Sequence, residues 1–452
     1  IYDIRDFGAI GDGMTVCTKE IQRALDAAES GGTVLIMGGH YISGTLKVHS
    51  NTTVFIDADS AIVASKNHDN FSEAFIIFDN AGNSCLTGGG KIIGNGEYFT
   101  YLPLRKPRLT PLHKVKLPPV LYDPMGYPVD TMRYEIRSRI RYAEDKYGEG
   151  LPKIKRPMYM VWLYGCRDVE IYNVILESAM DWNLCIDNSK RVNVRDIVIN
   201  GNRHVANADG IDVMGSSDIT VKHCFISCAD DGLCVKSPRD HSHDGLSLDF
   251  EKDMGKTERI LFEDCTVLTV ANCFKIGTET YYDISDVTVR NCKFMLPDIF
   301  PGACSGISIE SADGAHIRNI TIENIEMSDI SCPIFICLNK RNKFGYSDER
   351  DLKVRILGGS IENVVIKNIR AKGALVPSIL TGFAISREKL LEEYMGVLNE
   401  NDVKITGEIP YNIGGGLNIR PFNGGYINSI SNISISDMFI SYRQCDEEIN
   451  LP

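Results

Sequence analysis

The sequence lacks any apolar run of the length that a membrane-spanning helix needs, which is about 20 residues. It also lacks an excess of positive charge, because 48 lysines and arginines stand against 60 aspartates and glutamates and the formal net charge is −12. Proteins that grip a nucleic-acid backbone usually present a basic face. We therefore expect neither a membrane span nor a nucleic-acid partner.

The chain also lacks a recognisable nucleotide-binding loop. Its two glycine-rich stretches, "GGTV" from Gly31 and "GGGK" from Gly88, have neither the residue spacing nor the strand-to-helix context that cradles phosphates. We expect no cofactor.

The 14 cysteines are spread along the whole chain, and several recur at one fixed place in a repeat. This distribution favours buried free thiols in a reducing compartment over a disulfide framework. We therefore expect a cytoplasmic protein. Secretion is the alternative, because the chain starts at Ile1 rather than Met and a leader could have been removed.

One six-residue pattern organises most of the chain: apolar, any, apolar, any, Asn/Asp/His, apolar. The period of two predicts short strands. The first spacings, 23 and 27 residues, fit one turn of a β-solenoid. The pattern reads "VEIYNV" from Val169, "VNVRDI" from Val192, "ITVKHC" from Ile219, "ILFEDC" from Ile260, "VTVRNC" from Val287, "ITIENI" from Ile320, "VVIKNI" from Val364 and "ISISDM" from Ile433.

A second strand follows the first in each repeat, and its residues align in columns because strand side chains alternate between faces. The inward column is predicted to be Leu184, Ile211, Leu233, Phe274, Ile307 and Ile334. The outward column is then Cys185, Asp212, Cys234, Lys275, Ser308 and Phe335. Cys224, Cys265 and Cys292 share the last position of the first pattern and should stack inside the coil.

These columns predict an all-β chain, a right-handed parallel β-helix that forms one domain over 1–452. A doubly wound α/β fold would need helices between the strands, and the gaps are too short and too rich in Asn, Asp and Gly. We expect an amphipathic helix over Thr18–Ser30 to cap the solenoid, and helical insertions over 130–150 and 386–400. Segment 100–156 is an insertion and a possible lid, with 13 Lys/Arg against six Asp/Glu.

Three carboxylates are predicted to meet at one turn of this solenoid. Asp209 and Asp231 occupy the position just before the second strand on successive coils, and Asp230 adjoins Asp231. Coils of a parallel sheet stack about 4.8 Å apart. With no paired cation in the motif, such a cluster suits acid–base chemistry or a metal ion. Solenoid turns also favour Asp for backbone reasons alone.

At these residues the sequence resembles glycoside hydrolase family 28, the polygalacturonase-like enzymes. "DFGAIGDG" from Asp6, the run over 31–62 and "GNGE" from Gly94 are similar to the opening coils of that family. "NADGIDV" over 207–213 resembles its Asn-x-Asp motif, which includes Asn207, and "ADDGLCVKS" resembles its Asp-Asp motif. The resemblance implies an inverting hydrolase in which Asp230 is the general acid.

In the roles that the resemblance implies, Asp209 and Asp231 hold and deprotonate the attacking water. Two family motifs are altered. Asn272 stands where the family has the histidine of Gly-His-Gly, and Ser308 and Glu310 stand where it has Arg-x-Lys. In polygalacturonases those cations are understood to hold the carboxylate of the substrate, so the resemblance does not carry a galacturonate specificity with it.

Other residues are candidates for substrate binding. Lys236 and Lys275 are expected to project outward and could replace the missing cations, although a solvated sheet face is equally compatible with them. Arg203 and His204 precede the Asn-x-Asp motif and could line the cleft, and Trp182 could be a sugar platform one coil before Asp209. We expect no resident metal ion.

Together these features predict an inverting glycoside hydrolase that acts on a pectin-related or other plant polysaccharide or oligosaccharide, and not chiefly on plain polygalacturonate. A basic lid over 100–156 would suit an anionic oligosaccharide and could close one end of the cleft. The alternatives are a polysaccharide lyase on the same fold and a non-catalytic glycan-binding solenoid. The oligomeric state stays open.

Overall fold

The protein is described from a computed structural model. The structure describes residues 1–99, 121–122, 128–129, 156–201, 205, 207–237, 256–295, 305–338, 359–374, 377–383, 388, 391–392, 396, 418–422 and 430–442.

The described chain winds into successive coils, and each regular coil adds one strand to each of three parallel ladders. Three long strands near the C-terminal end run through both the first and the second ladder, which joins these two into one 21-stranded sheet. The third ladder is a separate 11-stranded sheet. The prediction of a parallel β-helix is therefore confirmed.

The bounds of the strands follow this order. The first ladder contains β1 (Tyr2–Asp3), β3 (Gly32–Ile36), β6 (Thr52–Ile56), β9 (Gly82–Thr87), β14 (Arg167–Tyr172), β17 (Lys190–Arg195), β20 (Ser217–Lys222), β23 (Thr257–Glu263) and β26 (Ile284–Arg290). The second ladder contains β2 (Asp12–Val16), β4 (His40–Ser43), β7 (Ala61–Ala64), β10 (Lys91–Ile93), β15 (Ile175–Glu177), β18 (Val198–Asn200), β21 (Phe225–Cys228), β24 (Thr266–Thr269) and β27 (Lys293–Met295). The three long strands are β29 (His316–Ser328), β31 (Ser360–Ala374) and β34 (Ile430–Tyr442).

The third ladder forms the separate sheet. It contains β5 (Leu46–Val48), β8 (Ala74–Asp79), β13 (Tyr159–Tyr164), β16 (Trp182–Asp187), β19 (Ile211–Met214), β22 (Leu233–Lys236), β25 (Asn272–Ile276), β28 (Ser305–Ser311), β30 (Cys332–Leu338), β32 (Ile379–Phe383) and β33 (Asn418–Phe422). Two short strands, β11 (Leu121–Tyr122) and β12 (Pro128–Val129), pair with each other in antiparallel fashion outside the three ladders.

The predicted columns are confirmed by the register. Val169 pairs with Val192, Val192 with Ile219, and Ile219 with Ile260 along the first ladder. In the third ladder the inward column from Leu184 to Ile334 lies in register and is completely buried. The outward column from Cys185 to Phe335 lies one residue further along each strand.

The cysteines also lie as expected. Cys224, Cys265 and Cys292 are buried inside the coil in the same core. The twelve cysteines that the structure describes are thiols rather than disulfides, and all but Cys85 are buried.

One helix closes the N-terminal end. α1 (Thr18–Ala27) buries Ile21, Ala24 and Leu25 against the first coils and ends three residues earlier than predicted. Within the described ranges, none of the helices has the length and apolar content that crossing a bilayer requires. The helix predicted over 130–150 lies outside the described residues, as does most of the one over 386–400 and most of the insertion 100–156.

Asparagines hold the sharp turns between the first two ladders. Asn324 sits in a left-handed turn with φ of 57°, inside the long strand β29. Nδ2 of Asn324 donates to Oδ1 of Asn291 at 2.9 Å, and Nδ2 of Asn368 donates to Oδ1 of Asn324 at 2.8 Å. Asn tolerates this conformation because its short amide can bond locally. The "N/D/H" position of the sequence pattern is therefore a backbone requirement.

We predict that Asn324→Ala lowers the free energy of unfolding by about 2 kcal/mol, because alanine loses both the ladder hydrogen bonds and the tolerance of positive φ. Asn324→Gly should cost about half as much, since glycine keeps the conformation. Denaturant unfolding measures both. An equal loss in the two variants would contradict the backbone part of this explanation.

Candidate active site

The three predicted aspartates lie in the turns that lead into the third ladder. Asp209 precedes β19, and Asp230 and Asp231 precede β22. The backbone N–H of Gly210 donates to the carbonyl of Asp231 at 2.8 Å, so the two turns are bonded to each other. A Cβ on Gly210 would lie 2.3 Å from the carbonyl oxygen of Gly232, which explains why glycine follows the carboxylate.

These turns bring the carboxylates together as predicted. One side-chain oxygen from each of Asp209, Asp230 and Asp231 lies within 4.8 Å of the other two. Asp209 is 3% exposed and Asp231 is 4% exposed, whereas Asp230 is half-buried. Oδ1 of Asp230 accepts a hydrogen bond from the backbone N–H of Asp231 at 3.0 Å. The most accessible carboxylate of the cluster is thus Asp230.

The expectation that the cluster has no paired cation is wrong. Lys236 places its Nζ 2.9 Å from Oδ2 of Asp209 and 2.7 Å from Oδ1 of Asp212. Lys236 is only 3% exposed, and its ammonium lies 3.8 Å from the centre of the Trp182 ring. It points outward from the strand, as predicted, but it is covered and cannot serve as a solvent-facing replacement cation for the substrate.

Lys275 is buried in the same way on the next coil. Its Nζ lies 3.0 Å from Oδ2 of Asp231 and 3.9 Å from Oε1 of Glu310, and the residue is 3% exposed. Asn272 donates from Nδ2 to the other oxygen of Asp231 at 2.7 Å, and Ser305 donates to Oδ1 of Asn272 at 2.6 Å. Both oxygens of Asp231 are therefore fixed by buried donors.

The electrostatics of the cluster favour retained protons. Burial raises the pKa of Asp209 well above its usual range, against the opposing effect of Lys236. Burial likewise raises the pKa of Asp212 to about 6. Burial by itself would lower the pKa of Lys236, but Asp209 and Asp212 outweigh it and raise that pKa well above its usual range. The ammonium stays charged, and the carboxylates around it compete for protons.

A fourth carboxylate near the cluster was missed by the sequence reasoning. Asp181 lies in the same column as Ala208 and Asp230, one residue before the strand position of Trp182 and Asp209. Its Oδ2 lies 2.8 Å from the guanidinium of Arg156, which also donates to the carbonyl of Met180 at 3.0 Å. Burial raises the pKa of Asp181 to about 7, and the charge of Asp230 adds to the effect. The alignment of Asp181 with Asp230 in this column was the signal in the sequence that could have identified it.

Trp182 does not lie as a sugar platform would. It is 9% exposed, packs edge-to-face on Tyr159 at 5.6 Å, and has one ring face against Lys236. Tyr159, Trp162 and Tyr164 form a buried aromatic cluster with it on the outer side of the third ladder. In the described structure Trp182 supports Lys236.

The remaining predicted residues fall in three places. Asn207 is exposed beside the cluster with φ of 60°. Ser308 donates to Oε1 of Glu310 at 2.7 Å, so these two residues bond to each other. Arg203 and His204 lie outside the described residues.

The spacing of the three carboxylates would also admit a divalent cation. Lys236 and Lys275, however, already place positive charge on Asp209 and Asp231. The described residues at this site therefore fit an arrangement of acids, bases and ammonium groups better than a resident metal.

Comparison with known proteins places this chain in a family. Residues 144–379, which are 236 of the 452, match the sequence profile of Glycosyl hydrolases family 28. The match includes all three aspartates. The chain belongs to glycosyl hydrolase family 28. A "Probable polygalacturonase" of Vitis vinifera is 22% identical to it over 84% of this chain and 72% of that protein.

Solved structures show the same fold. The exopolygalacturonase of Thermotoga maritima superposes with a TM-score of 0.60 at 20% identity, covering 85% of this chain and 83% of that one. The family 28 exopolygalacturonase of Yersinia enterocolitica gives 0.61 at 17% identity, covering 98% and 77%. These likenesses confirm the right-handed parallel β-helix for this family 28 protein.

We predict that Asp181 makes this family 28 protein less stable as the pH rises from 4 to 7. Its folded pKa of about 7 exceeds the ordinary 3.8, so the folded chain holds a proton that the unfolded chain has lost in this window. The side chain of Asp181→Asn cannot ionise. Between pH 4 and pH 7 the free energy of unfolding of this variant should therefore fall by roughly 2–4 kcal/mol less than that of the wild type. Denaturant unfolding at several pH values measures this.

Asp168→Asn is the matched control, because Asp168 also pairs with an arginine, Arg191, but on the exposed surface. There Arg191 lowers the pKa of the carboxyl, so its contribution has the opposite sign and is lost as the pH falls. A parallel pH dependence in wild type and Asp181→Asn would refute the prediction.

Proposed function

We propose that this protein hydrolyses a glycosidic bond in a pectin-related polysaccharide or oligosaccharide, with inversion of configuration. The observation that carries the proposal is the cluster itself. Two deep carboxylates, Asp209 and Asp231, are each held by a buried lysine, and the more accessible Asp230 lies within 4.8 Å of both. This difference in exposure and anchoring supports different roles for the carboxylates.

In the proposed mechanism Asp230 donates its proton to the oxygen of the leaving sugar as the glycosidic bond breaks. Asp209 and Asp231 orient a water molecule, which attacks the anomeric carbon from the opposite face and gives up its proton to one of them. The crowding of carboxylates supports the starting state, because neighbouring negative charges favour retention of a proton on one of the acids. A new hemiacetal and a free sugar hydroxyl are the products.

One observation favours a second mechanism. Inverting enzymes usually separate their carboxyl groups by about 6.5–9.5 Å, whereas those of retaining enzymes lie about 5–5.5 Å apart. Here one oxygen of each carboxylate lies within 4.8 Å of one oxygen of the other two, and this spacing is nearer the retaining range. We still favour inversion, because a nucleophile must reach the anomeric carbon and both Asp209 and Asp231 are buried and anchored.

The altered motifs bear on the substrate. The relative from Vitis vinifera named above is a probable polygalacturonase, which supports a pectin-related substrate. β28, however, carries Ser308 and Glu310, and it contains no lysine or arginine. Glu310 is 12% exposed and would repel a nearby uronate carboxylate. We therefore propose a neutral or differently linked sugar on that side, as in a branched or rhamnose-containing pectin fragment.

A lyase and a non-catalytic binding protein remain as rivals within the proposal. A lyase needs a basic side chain at the substrate and usually a Ca²⁺ ion, and Lys236 and Lys275 are engaged with carboxylates. An absorbing unsaturated product, or loss of activity after chelation, would identify lyase chemistry. A non-catalytic binding protein would release neither an unsaturated product nor a product of hydrolysis.

We predict that the first product carries the configuration opposite to that of the cleaved bond. Proton NMR of a rhamnose-containing pectin oligosaccharide during early turnover, before mutarotation, measures the anomeric signal. A retained signal would establish the second mechanism instead.

Asp230→Asn should lower kcat by about 10²–10⁴-fold while leaving binding of the oligosaccharide largely unchanged.

We also predict that polygalacturonate is a poorer substrate than the rhamnose-containing oligosaccharide, by at least about tenfold in kcat/KM. A charged hydrogen bond to a carboxylate contributes roughly 1.5–3 kcal/mol, and Glu310 replaces such a bond with repulsion. Glu310→Gln should reduce the difference in kcat/KM between the two substrates. The control is Glu323→Gln, since Glu323 pairs with Lys367 on the outer surface. Polygalacturonate as the better substrate would exclude this specificity.

A further inference from the structure

We propose that Asp212 is a positioning residue: through the Lys236 ammonium that it shares with Asp209, it fixes the place of Asp209 and the number of protons that the carboxylate cluster holds. The proposal rests on the assignment of Asp209 to the attacking water. Asp212 itself is completely buried and therefore cannot contact a substrate.

The geometry around Lys236 carries the inference. The ammonium lies 2.7 Å from Asp212, 2.9 Å from Asp209 and 3.8 Å from the centre of the Trp182 ring. A lysine side chain has many rotamers, and these three contacts select one of them. Both oxygens of Asp212 are buried: Oδ1 contacts the Lys236 ammonium, and Oδ2 has no hydrogen-bond partner among the described residues. Lys236 therefore provides the main described compensation for burying the charge of Asp212.

The next coil repeats the arrangement. Lys275 lies between the second proposed water-holding carboxylate, Asp231, and a further carboxylate, Glu310. Each of the two deep carboxylates thus contacts a buried lysine that also contacts a second acid. Asp212 and Lys236 form the tighter of the two bridges, since both Lys236 contacts are shorter than 3 Å.

Several other titratable groups face this bridge from the neighbouring elements. They are Cys185 of β16, Asp230 and Asp231 of the preceding turn, Cys234 of β22 and Glu279 beyond β25. Asp181 and Lys275 lie in the adjoining turn and strand. Because the negative groups outnumber the positive ones, the removal of one charge from the bridge is expected to redistribute protons among the others.

The test follows the titration of Asp209 directly. The full-length protein is labelled with ¹³C at the aspartate carboxyl carbons, and the Asp209 signal is identified by its loss in Asp209→Asn. Asp212→Asn removes a like charge, so the midpoint of Asp209 should fall by about one pH unit. Lys236→Met removes the cation, so the midpoint should rise by at least as much. The acidic limb of kcat/KM should move in the same directions, with little change in KM.

Two further variants serve as controls. Lys222→Met is the matched control, because Lys222 pairs with Glu263 on the exposed face of β20; neither the Asp209 midpoint nor activity should change. Lys236→Arg keeps the charge and should retain a midpoint near that of the wild type, which tests the proposal even if Lys236→Met fails to fold.

Unchanged midpoints in Asp212→Asn and Lys236→Met, or shifts in the same direction in both, would overturn the proposal. The proposal would also be overturned if the titration midpoint of Asp209 in Lys236→Arg shifted as far as is expected for loss of the cation. The NMR readout needs no substrate. If the wild-type protein cleaved none of the pectin oligosaccharides, the proposed function would fail while the linkage between Asp212 and Asp209 would still be tested.

Discussion

In-register stacking of the coils is the constraint on which the rest of this structure depends. Each coil bonds its backbone to the next through parallel strands, so residues at equivalent positions must lie about 4.8 Å apart. Apolar residues gain from this, because Leu184, Ile211 and Leu233 form a continuous buried column. Asparagines gain as well, since their side-chain amides bond from coil to coil. Carboxylates do not gain, because stacking places like charges side by side.

The buried lysines resolve that conflict at the active site. Taking a carboxylate out of water costs several kcal/mol, and a second carboxylate nearby adds repulsion. Lys236 and Lys275 offset both effects for Asp209 and Asp231, and Trp182 covers the first of these ammonium groups. The site therefore keeps closely spaced acids within the stacked sheet, and the net excess of negative charge favours the retention of protons there.

Much of this arrangement was readable in the sequence, because strand alternation determines which side chains share a column. The meeting of Asp209, Asp230 and Asp231 followed from the column alone. The burial of Lys236 and Lys275 could not be predicted in this way, because strand alternation indicates that a side chain points outward but not what covers it. Asp181 was missed for a related reason: it lies one residue ahead of the strand, where the column continues into the turn.

Contacts between neighbouring coils link the fold to the carboxylate cluster. Lys275 stands in register with Ser308 on the following strand, and Glu310 lies two residues beyond Ser308. The Lys275 ammonium lies 3.0 Å from Asp231 of the preceding coil and 3.9 Å from Glu310 of the following one, so one buried cation joins acids of two coils. Because the stacked register fixes where each side chain can reach, the residues of one coil determine the charges that surround the carboxylates of the next.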